Sequence, residues 1–413
     1  MVKSGSFPVR ASRKDAVYRC GEDICFQVVP GSRGRYTVDD GEKISSPMDF
    51  YGDIVVHAEK PGFILLTVDG RYRNGRKFET SAGAAIEPEK ISPGTSCPAD
   101  FDEFWKSEVD KVKSEKLQVL SCTPVDEHYL PDGITAFDVH LSQGGIIASG
   151  FLAVPRNAKP GSLPAVISFL GASKVSGELE VAVKDAKKLC AVAFNLNFHG
   201  LENFPVRNPE LLAPGREQVL NYQFLNAGDS QKYAMRQIFL RSVIVADFIK
   251  TLPEFNGKLS VWGGSMGGCQ SIVASVLNPE VEFCWATASA MSDHHGKSAG
   301  HLPGWPDLFN SPLVPEAARL VSPYFDVVNF ASRIKCPVVM AVGFIDTVTP
   351  PASTYAAYNR LTVRNKRMLH TVTGGHGPLL DKSEVCVFDQ GREYLDDAVK
   401  KQHRMFLYSG IRS

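Results

Sequence analysis

Gly263-Gly264-Ser265-Met266-Gly267 is the stretch of this chain best equipped for chemistry. It spells G-x-S-x-G, preceded by the apolar run Leu259-Ser260-Val261-Trp262 and followed by Cys269–Leu277, which reads as a buried helix. Strand, sharp turn with serine at its tip, then helix is the context of a nucleophile elbow. Gly263 and Gly267 keep the strained turn uncrowded. The helix start behind Ser265 aims free N–H groups at the place where negative charge would develop. The chemistry this suits is acyl transfer to a serine hydroxyl.

A serine hydroxyl is a weak nucleophile until a base takes its proton, and the base needs an orienting group. Val338–Ile345 is an apolar strand that ends at Asp346, and Met368–Thr373 is another that leads to Gly374-Gly375-His376-Gly377. Serine, acid and histidine then follow in one of the known chain orders. Among the other histidines, His370 falls inside its strand, while His294 and His295 precede Asp346. The catalytic candidates are therefore Ser265, Asp346 and His376. An oxyanion needs two backbone donors; Met266, next to the serine, and Ala172, in the loop after the run Ala165–Leu170, are placed for it.

The elements that must position these groups alternate between strand and helix from Pro164 onward, which predicts a doubly wound, mostly parallel sheet. Ala165–Leu170 is nearly all apolar, as buried parallel strands are. A helix around Glu180–Leu189, a strand at Ala191–Leu196 and an amphipathic helix over Tyr233–Thr251 lead to the elbow. Strands are expected at Phe283–Ser289, Pro337–Val342 and Arg367–Val372, and a closing helix over about Gly391–Phe406. Phe198–Lys232 reads as a long irregular loop, and the proline-rich His294–Ser322 as an inserted cap. Both loops leave the C-terminal edge of the sheet, where ligands bind in open α/β folds. They carry Phe198, Tyr222, Phe224, Trp305 and Phe309, side chains suited to stacking on a sugar ring.

Ahead of this region the signals are all β. Runs such as Cys25–Val29, Arg35–Val38 and Phe63–Val68 are separated by turn residues, among them Asp69-Gly70 and Asn74-Gly75. They predict a small antiparallel sandwich of immunoglobulin-like type over residues 1–91. Pro88 and Pro93 mark a linker, and residues 92–413 form the catalytic domain. Asp100 is placed to cap a helix carrying Phe101, Phe104, Trp105 and Val109. Thr135–Leu141 and Ile147–Val154 pair through Gly144-Gly145.

Bulk properties narrow the function classes. The 413 residues are 44% hydrophobic and 22% charged, with Lys+Arg and Asp+Glu both 45. No basic tract argues for nucleic acid, and no apolar run is long enough to span a membrane. Nine cysteines without C-x-x-C spacing fit neither a disulfide scaffold nor a zinc site. Cys190, Cys284 and Cys336 read as small core residues, and Cys20 and Cys25 are close enough to bridge a hairpin. No metal or organic cofactor is called for. The N-terminus lacks the apolar core of a signal peptide, so the sequence as it stands reads as cytoplasmic, and as periplasmic or secreted where a leader has been removed.

Three further stretches carry a resemblance. Pro98-Ala99-Asp100-Phe101-Asp102-Glu103-Phe104-Trp105, Tyr324–Pro337 and Gly343-Phe344-Ile345-Asp346-Thr347-Val348-Thr349-Pro350-Pro351 resemble the acetyl xylan esterase and cephalosporin-C deacetylase family of carbohydrate esterases. The resemblance runs from about Ser92 to the C-terminus. It implies an α/β-hydrolase fold, removal of acetyl groups from sugar hydroxyls, and Ser265, Asp346 and His376 as the triad. It also implies a homo-oligomer, with the added N-terminal unit as an obstacle to such contacts. Three positions depart from the family pattern: His199-Gly200-Leu201 stands for Arg-Gly-Gln, Met266 for Gln, and Gly377 for Glu. Phe198, His199 and Trp305 are taken as the substrate-binding set. The leading expectation is a serine esterase acting on acylated carbohydrate. The alternatives are a prolyl-oligopeptidase-like peptidase, which lacks sequence for a propeller here, and a carbohydrate-binding protein with a dead hydrolase core.

Overall fold

Residues 7–206 and 208–376 are described in a computed structural model of the chain. Eight strands come first: β1 (Val9–Ala11), β2 (Val17–Tyr18), β3 (Asp23–Val28), β4 (Arg33–Asp39), β5 (Met48–Phe50), β6 (Ile54–His57), β7 (Gly62–Arg71) and β8 (Lys77–Ile86). They make a three-stranded sheet, β1-β3-β6, and a five-stranded one, β2-β8-β7-β4-β5. The period-two pattern explains the layering: β3 buries Ile24, Phe26 and Val28 and turns Asp23 and Gln27 to solvent. Pairing is antiparallel except that β2 runs parallel to β8. Asn74-Gly75 does turn β7 into β8, with Gly75 at φ 86°. Asp69-Gly70 does not turn; it lies inside β7, where the Phe78 ring covers Gly70 so closely that no Cβ fits. Cys20 and Cys25 are both free thiols.

The rest of the described chain runs α1 (Phe101–Lys113), β9 (Gln118–Pro124), β10 (Ile134–Gln143), β11 (Ile146–Pro155), β12 (Leu163–Phe169), α2 (Leu179–Leu189), β13 (Val192–Asn197), α3 (Pro209–Gln218), α4 (Ala234–Ile249), β14 (Phe255–Gly264), α5 (Met266–Leu277), β15 (Val281–Thr287), α6 (Ala318–Val321), α7 (Val327–Ala331), β16 (Val338–Gly343), α8 (Pro351–Arg360) and β17 (Lys366–Thr371). One nine-stranded sheet results, in the order β17-β16-β15-β14-β12-β13-β11-β10-β9. From β13 to β17 neighbouring strands are parallel. The first three strands enter antiparallel, with β10 and β11 turning at Gly144-Gly145. β13 and β16 are buried along their whole length, β16 as a continuous apolar run and β13 with its Asn195 and Asn197 side chains hydrogen-bonded. Helix α2 buries Leu179, Ala182, Ala186 and Leu189 against Phe151, Val166 and Ala193. Helices α4 and α5 belong to the larger core on the other face.

Three local expectations need correction. Residues 198–232 are not a bare loop: Asn208 accepts a hydrogen bond from the Glu210 N–H at 2.9 Å and starts α3. Pro214 and Gly215 within that helix, and its lack of buried positions, hid it. Asp100 sits at the start of α1 without capping it; its carboxylate accepts the Tyr324 hydroxyl instead. Cys190 is exposed, closing α2 at φ 50°, whereas Cys284 and Cys336 are buried. The expected helix over Gly391–Phe406 lies outside the described residues. No helix among the described residues is long and apolar enough to cross a membrane.

Candidate active site

Strand β14 delivers Ser265 to the C-terminal edge of the sheet, and α5 departs immediately behind it. Ser265 has φ 59° and ψ −121°, a conformation that L side chains rarely adopt and that costs about 1–3 kcal/mol. Its surroundings hold it there: its N–H donates to the Thr287 carbonyl at 2.9 Å, and its carbonyl accepts from Ala290 N–H at 3.0 Å. The glycines on either side are spatial necessities. A Cβ on Gly263 would stand 2.5 Å from the Gly267 carbonyl, and one on Gly267 would run into the Phe169 carbonyl.

The structure brings the three candidate side chains together. His376 Nε2 lies 3.0 Å from Ser265 Oγ, and its Nδ1 lies 2.9 Å from Asp346 Oδ2. Asp346 is 3% exposed, yet all its acceptor capacity is used. Its Oδ1 accepts the N–H groups of Val348 and Thr349, both at 2.9 Å, and its Oδ2 accepts the Thr349 hydroxyl at 2.8 Å. Such donors satisfy the buried oxygens and fix the orientation of the carboxylate.

Met266 opens α5, so its N–H is among those a helix leaves without an internal partner. Ala172 lines a cavity of about 890 Å³ together with Phe204, Leu212, Tyr222 and Trp305. Trp305 is anchored beside the elbow, because its carbonyl accepts the N–H of Met291, the residue after Ala290. The other two residues of the expected substrate-binding set do not line this cavity. Phe198 is 1% exposed, and His199 is wedged between it and Tyr222 at ring distances of 4.2 and 4.6 Å. Both pack against the Tyr222 ring, which does line the cavity. Among the described residues no group of three or more His, Cys, Asp or Glu is arranged to hold a metal ion.

A family model described as acetyl xylan esterase (AXE1) matches residues 88–297 and 316–388. The chain belongs to the acetyl xylan esterase family. Acetyl esterase Axe7A of Xylanibacter ruminicola is 31% identical over 371 residues, covering 86% of this chain and 77% of that protein. Acetyl xylan esterase from Paenibacillus sp. R4 has a similar structure, with a TM-score of 0.61 at 22% identity over 76% of this chain and 98% of that one. Acetyl xylan esterase 1 from Thermoanaerobacterium sp. JW/SL YS485 superposes with a TM-score of 0.53 at 21% identity, over 73% and 96% of the two chains. The fold is thus that of the α/β-hydrolase esterases, and this member of the acetyl xylan esterase family is a carboxylic ester hydrolase.

Two features of this acetyl xylan esterase family member escaped the sequence reading. One is Thr349, whose hydroxyl also lies 3.1 Å from His376 Nδ1; the Asp-x-x-Thr spacing of a side-chain-capped turn is the signal that pointed to it. The other is a buried polar clamp. Asp326 accepts the N–H groups of Asp293 and His294 and the Thr95 hydroxyl, while Asp293 accepts Gly94 and Thr95 N–H and pairs with His301 at 3.1 Å. Burial and the charge of Asp293 push Asp326 up to about 7. Burial opposes the ionised form of Asp293 as well, but the bonds from His301 and Gly94 outweigh it and hold Asp293 below the usual range.

Two buried histidines set a pH dependence. Burial, helped by the neighbouring His295, holds His294 down to about 4, and burial, then the Arg241 charge, holds His199 down to about 3. Both stay neutral in the fold while the unfolded chain binds their protons first, near pH 6.5. Their contribution is therefore intact above about pH 6.5 and is lost as pH falls toward 4, at roughly 1.4 kcal/mol per pH unit for each. Urea midpoints recorded across that range are expected to fall less steeply in His294→Leu than in the unaltered chain. Equal slopes would mean that His294 takes up a proton without opening the fold.

Proposed function

We propose that this protein is a serine esterase that removes acetyl and other short acyl groups from carbohydrate hydroxyls through an acyl-enzyme. The observation that carries the reading is the continuous hydrogen-bonded path Ser265–His376–Asp346, at 3.0 and 2.9 Å. Ser265 Oγ attacks the ester carbonyl while His376 Nε2 takes its proton. Asp346 accepts the Nδ1–H, which fixes the tautomer and stabilises the imidazolium. The N–H groups of Met266 and Ala172 receive the developing oxyanion. Collapse breaks the ester C–O bond, and His376 returns the proton to the departing sugar hydroxyl. Water then attacks the acyl-enzyme by the same route, releasing the acid and freeing Ser265. Acetyl is the group named for the relatives, and the partly exposed Trp305 and the ring of Tyr222 offer apolar faces to a sugar in the cavity that Ala172 also lines. In this reading residues 1–91 are an immunoglobulin-like sandwich unit and residues 92–413 the catalytic domain.

Release of acetate from acetylated xylan, blocked by a phosphonate that labels Ser265, is the expected result. Cleavage of a proline peptide without acetate release would favour a peptidase, and no adduct on Ser265 would favour a binding protein with an inactive core. Specificity is checked separately. Trp305→Ala is expected to raise KM for the sugar ester roughly tenfold and to leave a small aryl acetate within about twofold. Equal losses on both substrates would assign Trp305 to the fold instead.

A further inference from the structure

The stretch Gly343–Asp346 is held from two sides. On one side is the loop that carries the histidine: Phe344 N–H donates to the Thr371 carbonyl and Ile345 N–H to the Gly374 carbonyl, both at 3.0 Å. Gly343 and the Gly374 carbonyl are pressed together so tightly that no side chain fits between them. On the other side is the N-terminal β7–β8 hairpin, far away in sequence. Phe63 of β7 meets the Phe344 ring edge-on at 5.2 Å and 73°, and it also touches Tyr355 of α8 at 5.6 Å. Gly83 of β8 lies against the Phe344 backbone: a Cβ there would stand 2.6 Å from the Phe344 carbonyl oxygen and 2.8 Å from its Cβ. The Phe344 ring, 1% exposed, is closed off by His370, stacked on it at 4.9 Å and 20°. The loop after β4 reaches the same place, where Asp39 and Gly41 line a cavity of about 240 Å³ shared with Phe344, Asp346 and Pro350.

We propose that the β7–β8 hairpin is a positioning part of the active site, with Phe63 and Gly83 fixing Phe344 and, through it, the carboxylate of Asp346 against His376. The proposal rests on the reading of Asp346 as the group that orients the base. Phe63 and Gly83 are positioning residues and touch no reacting atom. Their effect belongs to kcat, because a displacement of about 1 Å in a catalytic group costs up to roughly a hundredfold in rate while a substrate held elsewhere still binds. The hairpin thus gives the N-terminal unit a role in turnover that does not require it to bind carbohydrate.

The test uses the full chain and a small aryl acetate. Phe63→Ala empties the space beside Phe344, Gly83→Ala pushes on its carbonyl, and Phe63→Leu keeps the space filled. Expected are a roughly ten- to hundredfold lower kcat for the first two, KM within about twofold, and recovery of most of the loss in Phe63→Leu. Ile24→Ala, in the three-stranded sheet of the same unit, serves as the stability control. It is expected to lower Tm without lowering kcat below the melting range. Asp346→Asn is measured alongside. If Asp346→Asn collapses kcat while folded Phe63→Ala and Gly83→Ala keep it, the positioning role is overturned. The same follows if Ile24→Ala, at matched loss of Tm, loses as much kcat as they do. If Asp346→Asn itself keeps kcat, the acid assignment falls and takes the proposal with it. Should Phe63→Ala fail to fold, Gly83→Ala and Phe63→Leu carry the same comparison.

Discussion

Ser265→Ala is expected to lower kcat on an aryl acetate by roughly 10⁴- to 10⁶-fold and to abolish labelling by a serine-directed phosphonate. Among the described residues, Ser265 Oγ is the hydroxyl that lies within hydrogen-bond distance of His376 Nε2. The elbow presents position 265 alone at its tip, with Gly264 before it and the buried Met266 after it. A second variant separates chemistry from strain. At φ 59° and ψ −121° the backbone suits glycine, so Ser265→Gly is expected to be as inactive as Ser265→Ala yet more stable by about 1 kcal/mol, read from urea midpoints. Turnover within tenfold of the unaltered protein in either variant would remove Ser265 as the nucleophile. Equal stability of the two variants would mean that the turn relaxes once the hydroxyl is gone.

Asp346→Asn is expected to cost roughly 10³- to 10⁴-fold in kcat with little change in Tm. The reason lies in how its oxygens are used. Oδ1 receives two backbone N–H groups, which fix which end of an asparagine side chain keeps its oxygen there. The amide nitrogen is then forced to the Oδ2 position, 2.9 Å from His376 Nδ1. An N–H facing Nδ1 selects the tautomer with its proton on Nε2, so the nitrogen beside Ser265 can no longer accept one. Thr349→Val is the milder comparison, since it removes one donor to Asp346 and leaves the carboxylate and its backbone donors in place. A loss in Asp346→Asn no larger than in Thr349→Val would show that the carboxylate charge is dispensable.

The candidate residues were legible because each stands just past the end of a strand, where the alternation of element types fixes the C-terminal edge of the sheet. Ser265 follows β14, Asp346 follows β16 and His376 follows β17. What could not be read depends on contacts between distant segments. The pairing of Gly70 with the Phe78 ring turned a turn-like dipeptide into strand interior. Helix α3 carries no apolar stripe to announce it and buries none of its residues. Of the aromatic set on these loops, Tyr222 and Trp305 line the cavity, whereas Phe198 and His199 pack against Tyr222, an arrangement set by ring contacts and not by sequence position. The Asp293–Asp326–His301 clamp assembles residues from three separate stretches, none of which spells a motif by itself.

That clamp closes over Gly94 and Thr95, at the joint between the N-terminal sheets and the nine-stranded sheet. A hydrophobic cluster runs without interruption from Ile24 and Phe63 on one side of the joint to Phe344 and Tyr355 on the other. The joint is therefore no seam. Parting residues 1–91 from the rest would expose apolar surface and take the Pro88 and Ile91 carbonyls away from the Asn359 amide that donates to both. An N-terminal unit taken from a relative would arrive with a mismatched half of the cluster. A substitution in the cluster on one side of the joint therefore changes the packing met by the other.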